Sequence, residues 1–131
     1  MPRRTLALAA ALASVSLVAA CSDPAVCLPN VVPAVEIEVR DASTDEFIAG
    51  IVRGVLSEGA FVDSLRVIAS IGNDPAVATT LGAGEERPGT YAVHLEGSGY
   101  AAWDTGNVRV TRDECHVRTA TFTARLSPLP E

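Results

Sequence analysis

Alternation of apolar and polar residues is the feature that most constrains the fold of this chain. In AVEIEVR, residues 34–40, the valines and the isoleucine fall on one side of an extended backbone, and the charged residues fall on the other. A period of two is typical of a β-strand with one buried face. The alternation recurs in TYAVHLE, residues 90–96, and no segment after Pro33 combines helical periodicity with caps. The pattern therefore predicts an all-β domain.

Strand-like segments follow one another at short spacing, and turns rich in Gly, Pro and Asn separate them. In the last segment the apolar side changes between Val117 and Ala120, which predicts a β-bulge near Arg118. About seven short strands in roughly 95 residues favour a β-sandwich. The predicted strands are residues 34–40, 48–57, 58–70, 76–81, 90–96, 107–111 and 115–126.

The beginning of the chain has the composition of a secretion signal. Arg3 and Arg4 precede an apolar run from Leu6 to Ala20, which only two serines interrupt. A run of about 15 residues is too short for a helix that spans a bilayer core of roughly 30 Å, but it fits the apolar region of a signal peptide. The alternative is a buried amphipathic helix, and the run has no polar face to support it. We therefore expect residues 1–20 to be a signal peptide.

The apolar run ends in VAAC, residues 18–21, which resembles the lipobox of bacterial lipoproteins. The resemblance implies that Cys21 becomes the mature N-terminus and carries diacylglycerol and a further acyl chain such as palmitate. Several acyl chains hold a protein on a membrane far better than one chain does. Because Ser22 follows the cysteine, the resemblance implies a lipid-anchored protein of the bacterial cell envelope, sorted to the outer membrane. The alternative is a secreted protein cleaved after Ala20, with Cys21 left as a thiol.

The charge of the mature chain disfavours one class of partner. Removal of residues 1–20 leaves eight arginines against 16 acidic residues, a net charge of −8. Such a surface repels nucleic acids and anionic lipid head groups. We therefore expect no nucleic acid partner. The expected partners are the membrane, through the lipid anchor, and an envelope protein or a glycan.

Cys27 and Cys115 remain as an even pair once Cys21 carries the lipid. In an oxidising compartment such a pair predicts a disulfide. The alternative is a metal site that also uses His116. Adjacent strand residues point to opposite faces of a sheet, so Cys115 and His116 would not easily share an ion.

Composition divides the mature chain into three parts. Residues 21–33 hold three prolines and no periodicity, so they predict a short lipidated tether that the disulfide would fasten to the domain. Residues 34–127 contain all the predicted strands and form the domain. Residues 128–131 form a C-terminal tail. The sequence implies no metal and no other cofactor.

The spacing of residues 36–52, 85–103 and 107–126 resembles the carboxypeptidase regulatory-like domain, a prealbumin-like (transthyretin-like) sandwich. Its most specific parts are RPGTY, residues 87–91, a turn that leads into a strand, and GSGY, residues 97–100, a turn that ends in an aromatic residue. The resemblance implies a Greek-key β-sandwich of the prealbumin or Ig type. It also implies an accessory, adhesive or binding module, although a fold of this kind hosts many roles.

Few residues are candidates for catalysis or metal binding. His94 and His116 are the two histidines, and each is predicted to face outward from a strand. Glu36 and Glu38 lie on one strand face, roughly 6.6 Å apart along the backbone, as exposed charges commonly do. Asp41, with the other acids of the segment to residue 46, lacks the spacing of a calcium loop and predicts a turn. We therefore expect a protein that is not an enzyme.

Two aromatic residues, Tyr100 and Trp103, lie in a segment predicted as a loop. Exposed aromatic rings stack on sugars or anchor protein contacts, and the alternative is that both rings pack into the domain. The sequence favours a non-catalytic accessory or protein-interaction module. A glycan or cell-wall binding module that uses these two rings is the second hypothesis. A small enzyme or metal protein centred on His94 and His116 is the third.

Overall fold

A computed structural model describes residues 23–72 and 77–131. The predicted signal peptide and the proposed lipid site at Cys21 lie outside the described residues. The described residues form an all-β fold without an α-helix, as predicted, and they contain nine strands. The strands are β1 (Val35–Asp41), β2 (Val52–Glu58), β3 (Phe61–Ser64), β4 (Arg66–Ser70), β5 (Ala78–Ala83), β6 (Gly89–Gly97), β7 (Trp103–Arg112), β8 (Val117–Arg118) and β9 (Ala120–Leu126).

The strands form two sheets, one of four strands in the order β4-β5-β1-β9 and one of five strands in the order β3-β2-β6-β7-β8. Neighbouring strands are antiparallel except for β1 and β9, which run parallel from the pair Val35 and Ala120 to the pair Asp41 and Leu126. The first and last strands of the domain are therefore hydrogen-bonded side by side.

The strand count exceeds the predicted seven because two predicted strands are each divided between the two sheets. Residues 58–70 form β3 in the five-stranded sheet and β4 in the four-stranded sheet, with Leu65 between them. Residues 115–126 form β8 and β9 on either side of Thr119, and these strands pair with β7 and β1. The change of apolar side near Arg118 therefore marks a crossing between sheets rather than the predicted bulge, which would have kept both halves in one sheet.

Gly54 makes room for the first crossing. A Cβ atom at this position would lie 2.3 Å from the carbonyl oxygen of His94 and 2.9 Å from Cδ1 of Leu65. The backbone N–H of Leu65 donates to the carbonyl oxygen of Gly54 at 2.9 Å. Leu65 therefore occupies the space that a side chain at position 54 would need.

One hydrophobic core contains residues from both sheets. Val35, Ile37 and Val39 of β1 are at most 1% exposed, so the alternation in this segment correctly predicts the buried face. Leu56 and Tyr91 are among the largest fully buried side chains of the five-stranded sheet. Burial of apolar surface from both sheets in one cluster is the main force that holds the sheets together.

Strand direction defines two ends of the domain. We call the end that carries Cys115 the cystine end. It contains the beginnings of β1 and β6, the turn at residues 59–60 and the loops at residues 84–88 and 113–116. The Tyr100 end contains the other termini of β1 and β6, the turn at residues 98–99 and the C-terminal residues 127–131. Since β6 has nine residues, the two ends are about 26 Å apart.

Candidate functional site

The cystine end carries the predicted disulfide. The sulfur atoms of Cys27 and Cys115 are bonded at 2.02 Å, and the two Cα atoms are 5.1 Å apart. The carboxylate of Asp113 accepts the backbone N–H groups of Cys115 and His116 at 2.9 and 3.0 Å, which shapes the loop that presents Cys115. The bond joins the segment before the domain to the loop between β7 and β8. Because the two sulfurs are bonded to each other, this pair supplies no thiolate to a metal.

His116 makes a second attachment at the same end. Its Nδ1 atom lies 2.7 Å from Oε1 of Glu86, and its Nε2 atom lies 3.1 Å from the carbonyl oxygen of Leu28. Both partners are acceptors, so the ring makes both hydrogen bonds when both nitrogens carry protons. The hydrogen bond from His116 lowers the pKa of Glu86, and the N–H of Val32, which donates at 2.9 Å, acts in the same direction.

The backbone adds further contacts that carry residues 27–34 across the cystine end. The N–H of Ala34 donates to the carbonyl oxygen of Ala83 at 3.0 Å, and the hydroxyl of Thr119 donates to the carbonyl oxygen of Pro33 at 2.8 Å. The segment predicted as a tether is therefore fixed to the domain from Cys27 onward.

The RPGTY segment builds the loop that presents Glu86. The hydroxyl of Tyr91 donates to the carbonyl oxygen of Arg87 at 2.6 Å. The guanidinium of Arg87 lies over the ring of Phe61, 4.0 Å from its centroid, and donates to Glu58 at 2.8 Å. A buried tyrosine and a stacked arginine thus fix both sides of the loop, and Glu86 is held where His116 can reach it.

At the Tyr100 end a turn is held by Asp41. The hydroxyl of Tyr100 donates to Oδ2 of Asp41 at 2.8 Å, and the backbone N–H of Ser43 donates to Oδ1 at 2.7 Å. Hydrogen bonds from Ser43, and then from Tyr100, lower the pKa of Asp41 to about 2. The same contact with Asp41 raises the pKa of Tyr100. These contacts show that the acidic segment forms a turn, as predicted.

An open groove of about 520 Å³ lies beside Tyr100 on the five-stranded sheet. Arg53 borders it and forms no ion pair within the described residues. Ile51 is 59% exposed there. The groove thus combines a cation, an aliphatic side chain and an aromatic ring in one open surface. Its lining consists of Ile51, Arg53, Glu96, Gly97, Ser98, Tyr100 and Ala102.

Trp103 lies outside this groove. It begins β7, although its segment is predicted as a loop, and it is partly buried against the core. Its ring stacks on Phe122 of β9, with centroids 6.2 Å apart and planes at 22°. The structure therefore separates the two candidate aromatic residues: Tyr100 borders the groove, whereas Trp103 packs between the sheets.

His94 lies on the outer face of the five-stranded sheet, as predicted, and its side chain is 41% exposed. Its Nδ1 atom is 2.7 Å from Asp104 and its Nε2 atom is 3.2 Å from Glu96. Hydrogen bonds to Asp104, and then to Glu96, raise the pKa of His94. His94 and His116 thus belong to separate groups of residues. In residues 23–72 and 77–131, no cluster of three or more His, Cys, Asp or Glu side chains is arranged to hold a metal ion.

Glu36 and Glu38 lie on the outer face of β1. The carboxylate of Glu38 accepts a hydrogen bond from Nε of Arg40 at 2.6 Å. Arg40 also donates to the carbonyl oxygen of Asp45 at 2.6 Å, so this ion pair belongs to the strand and the turn that follows it.

No protein-family model matches the chain, and no curated protein matches it. The resemblances to the lipobox and to the carboxypeptidase regulatory-like domain therefore rest on the residues quoted above. Across the part of the chain that the structure describes, no helix has the length and apolar character needed to cross a membrane.

Proposed function

We propose that this protein is a non-catalytic lipoprotein of the bacterial cell envelope, anchored through Cys21 to the outer membrane. Its domain acts as an accessory or protein-interaction module, with a Greek-key β-sandwich of the carboxypeptidase regulatory-like type. The observation that carries the proposal is the attachment of residues 27–34 across the cystine end, which begins six residues after Cys21. The single core shared by the two sheets supports the sandwich.

The attachment gives the domain a defined direction. An extended chain spans at most about 3.6 Å per residue, so the six steps from Cys21 to Cys27 reach about 20 Å. The cystine end then stays close to the lipid, and the Tyr100 end faces away from it. A partner in the envelope would meet the Tyr100 end first.

In-cell photocrosslinking tests this proposal. A crosslinking amino acid replaces Ser98, which is exposed and borders the groove at the Tyr100 end. A matched probe replaces Ala60, which is exposed in the turn at the cystine end. We expect the probe at position 98 to capture one envelope protein that the probe at position 60 does not capture. We also expect Cys21→Ser to abolish this capture. Failure of both probes to give a discrete protein adduct would contradict the proposal.

The groove also favours a second candidate function, a glycan or cell-wall binding module. Tyr100 offers an aromatic ring, and Arg53, Glu96 and Ser98 offer polar groups in the same groove. Titration with peptidoglycan fragments would then shift the NMR signals of these residues and leave Trp103 unchanged. Tyr100→Ala should remove the shifts, whereas Val62→Ala, an exposed control on β3, should not. Absence of shifts at millimolar fragment excludes this candidate.

A further inference from the structure

The fixed segment at the cystine end keeps aliphatic side chains in water. Val26, Leu28 and Val31 are 94%, 72% and 63% exposed. Val26 precedes the attachment at Cys27, and Leu28 and Val31 lie between Cys27 and Val32, whose N–H group donates to Glu86. A segment that is held in place with its apolar side chains outward is stabilised when an apolar environment covers those side chains.

We propose that this surface, Val26, Leu28 and Val31, contacts the bilayer that holds the acyl chains on Cys21. The inference rests on the proposed lipid anchor. It adds that the domain rests on the membrane through its cystine end rather than hanging from a loose tether. Aliphatic side chains enter the boundary between head groups and acyl chains and bind there in proportion to the apolar area they bury.

The short connection between Cys21 and Cys27 supports the bilayer as the partner that covers this surface. Because Cys21 lies within about 20 Å of Cys27 along the chain, the membrane is always within reach of this surface. Ile51 and Leu129 are 59% and 54% exposed, but they lie at the Tyr100 end, beyond the length of β6. Similar apolar exposure therefore occurs at both ends, and only one end is held near the lipid.

Charges beside the surface match zwitterionic head groups. Two arginines, Arg112 and Arg118, and two acids, Asp113 and Glu114, line one open depression next to the disulfide. Neither arginine forms an ion pair within the described residues. Guanidinium groups bind phosphate oxygens, and a neighbouring carboxylate suits the ammonium group of the same lipid. A phosphatidylethanolamine surface offers both charges, whereas an anionic lipid would meet repulsion from Glu114.

The test uses the natively lipidated full-length mature protein in nanodiscs of phosphatidylethanolamine and phosphatidylcholine, with a small fraction of lipid that carries gadolinium on its head group. Isoleucine, leucine and valine methyl groups are observed by NMR. We expect loss of the Val26, Leu28 and Val31 signals and retention of the Ile51 and Leu129 signals. Equal loss at both ends, or no loss at either end, would overturn the inference.

Mass spectrometry of the same sample separates this inference from the proposed function. If acyl chains are attached and the methyl signals show no difference between the ends, the membrane contact is wrong and the lipid anchor stands. If the chain carries no acyl group, the proposed function itself fails. A matched pair of variants adds a second readout: Val26→Ser with Leu28→Ser should weaken the gadolinium relaxation enhancement at Val31, whereas Ile51→Ser with Leu129→Ser should leave it unchanged. An unchanged relaxation enhancement at Val31 in the first pair would also overturn the inference.

Discussion

The two ends of the domain fasten the chain segments beside them by different means. At the cystine end the N-terminal segment is held by a disulfide and by His116, which reaches the carbonyl oxygen of Leu28. At the Tyr100 end the C-terminal segment is held by backbone hydrogen bonds, from Ala101 to Ser127 at 2.9 Å and from Leu129 to Gly99 at 2.8 Å. The covalent attachment is at the end that carries the proposed membrane anchor. The N-terminal segment is therefore fixed to the domain more firmly than the C-terminal segment is.

The two tyrosines of the chain show the same contrast. Tyr91 is 1% exposed, and its hydroxyl closes a hydrogen bond within the loop at the cystine end. Tyr100 is only partly buried, and its hydroxyl reaches Asp41 in an exposed turn. A buried hydroxyl that loses its partner costs more than one that water can reach. Substitutions at the cystine end should therefore destabilise the domain more than matched substitutions at the Tyr100 end.

Loss of the disulfide should have the largest effect. Cys27 and Cys115 are 88 residues apart, and closing a loop of that length stabilises the folded state by about 4.5 kcal/mol in the chain-entropy model. The variant with both cysteines changed to serine should show this loss in urea unfolding. Leu129→Ala, at the other end, serves as the control and should change stability little. A loss below about 1 kcal/mol for the cysteine variant would contradict the claim that the disulfide makes the cystine end the more important of the two ends for stability.

Removal of the Tyr91 hydroxyl should come next. Tyr91→Phe leaves the carbonyl oxygen of Arg87 without its buried donor, and we expect a loss of about 1–2 kcal/mol in the free energy of unfolding. Tyr100→Phe is the matched change at the opposite end and should cost less. Thermal or urea unfolding of the two variants side by side measures the difference. A larger loss of stability for Tyr100→Phe than for Tyr91→Phe would contradict this prediction.

His116→Ala should loosen the N-terminal segment without unfolding the domain. The substitution removes contacts with Glu86 and Leu28, so hydrogen exchange at the N–H of Val32 should accelerate. The pKa of Glu86 should rise, because its hydrogen bond from His116 is the main cause that lowers it. His94→Ala is the control and should change neither quantity. Unchanged exchange at Val32 would mean that His116 does not help to hold the segment.

The smallest effect concerns the pH dependence at the Tyr100 end. The pKa of Asp41 is lowered from 3.8 to about 2, so its contribution to stability is present above pH 3.8 and is lost as the pH falls through about 2. In an NMR titration Asp41 should therefore ionise near pH 2. Tyr100→Phe should raise this pKa, because it removes one donor, and Tyr91→Phe should not. A value near 3.8 in the unmodified protein would refute the hydrogen-bonded turn.

Local patterns in the sequence predict where the strands lie better than they predict which sheet each strand joins. The alternation in β1 gives its buried face correctly, because the period of two is a property of the strand alone. The same pattern continues across Leu65, and at Thr119 it only changes its apolar side, although the chain passes from one sheet to the other at both positions. Which sheet a strand joins depends on partners far away in sequence, so the alternation alone does not predict the two crossings. Gly54 is the local sign of the first crossing, since the chain needs space there for Leu65.

The candidate sites follow the same division. Cysteine counting predicts the disulfide, because few pairings exist for so few cysteines. The sequence predicts a tether that only the disulfide fastens to the domain, but Leu28 and Val32 are also held by His116 and Glu86, which lie 88 and 54 residues further along. Composition of a short segment carries no sign of such distant partners.

The most direct test of the lipid anchor and its fixed connection is the intact mass of the mature protein from membranes, before and after reduction. We expect a chain that begins at Cys21 and carries acyl chains. Iodoacetamide should add to no cysteine before reduction and to Cys27 and Cys115 after it. A chain without acyl groups, or with a free thiol before reduction, would contradict the proposed anchor or the disulfide that fixes the domain beside it.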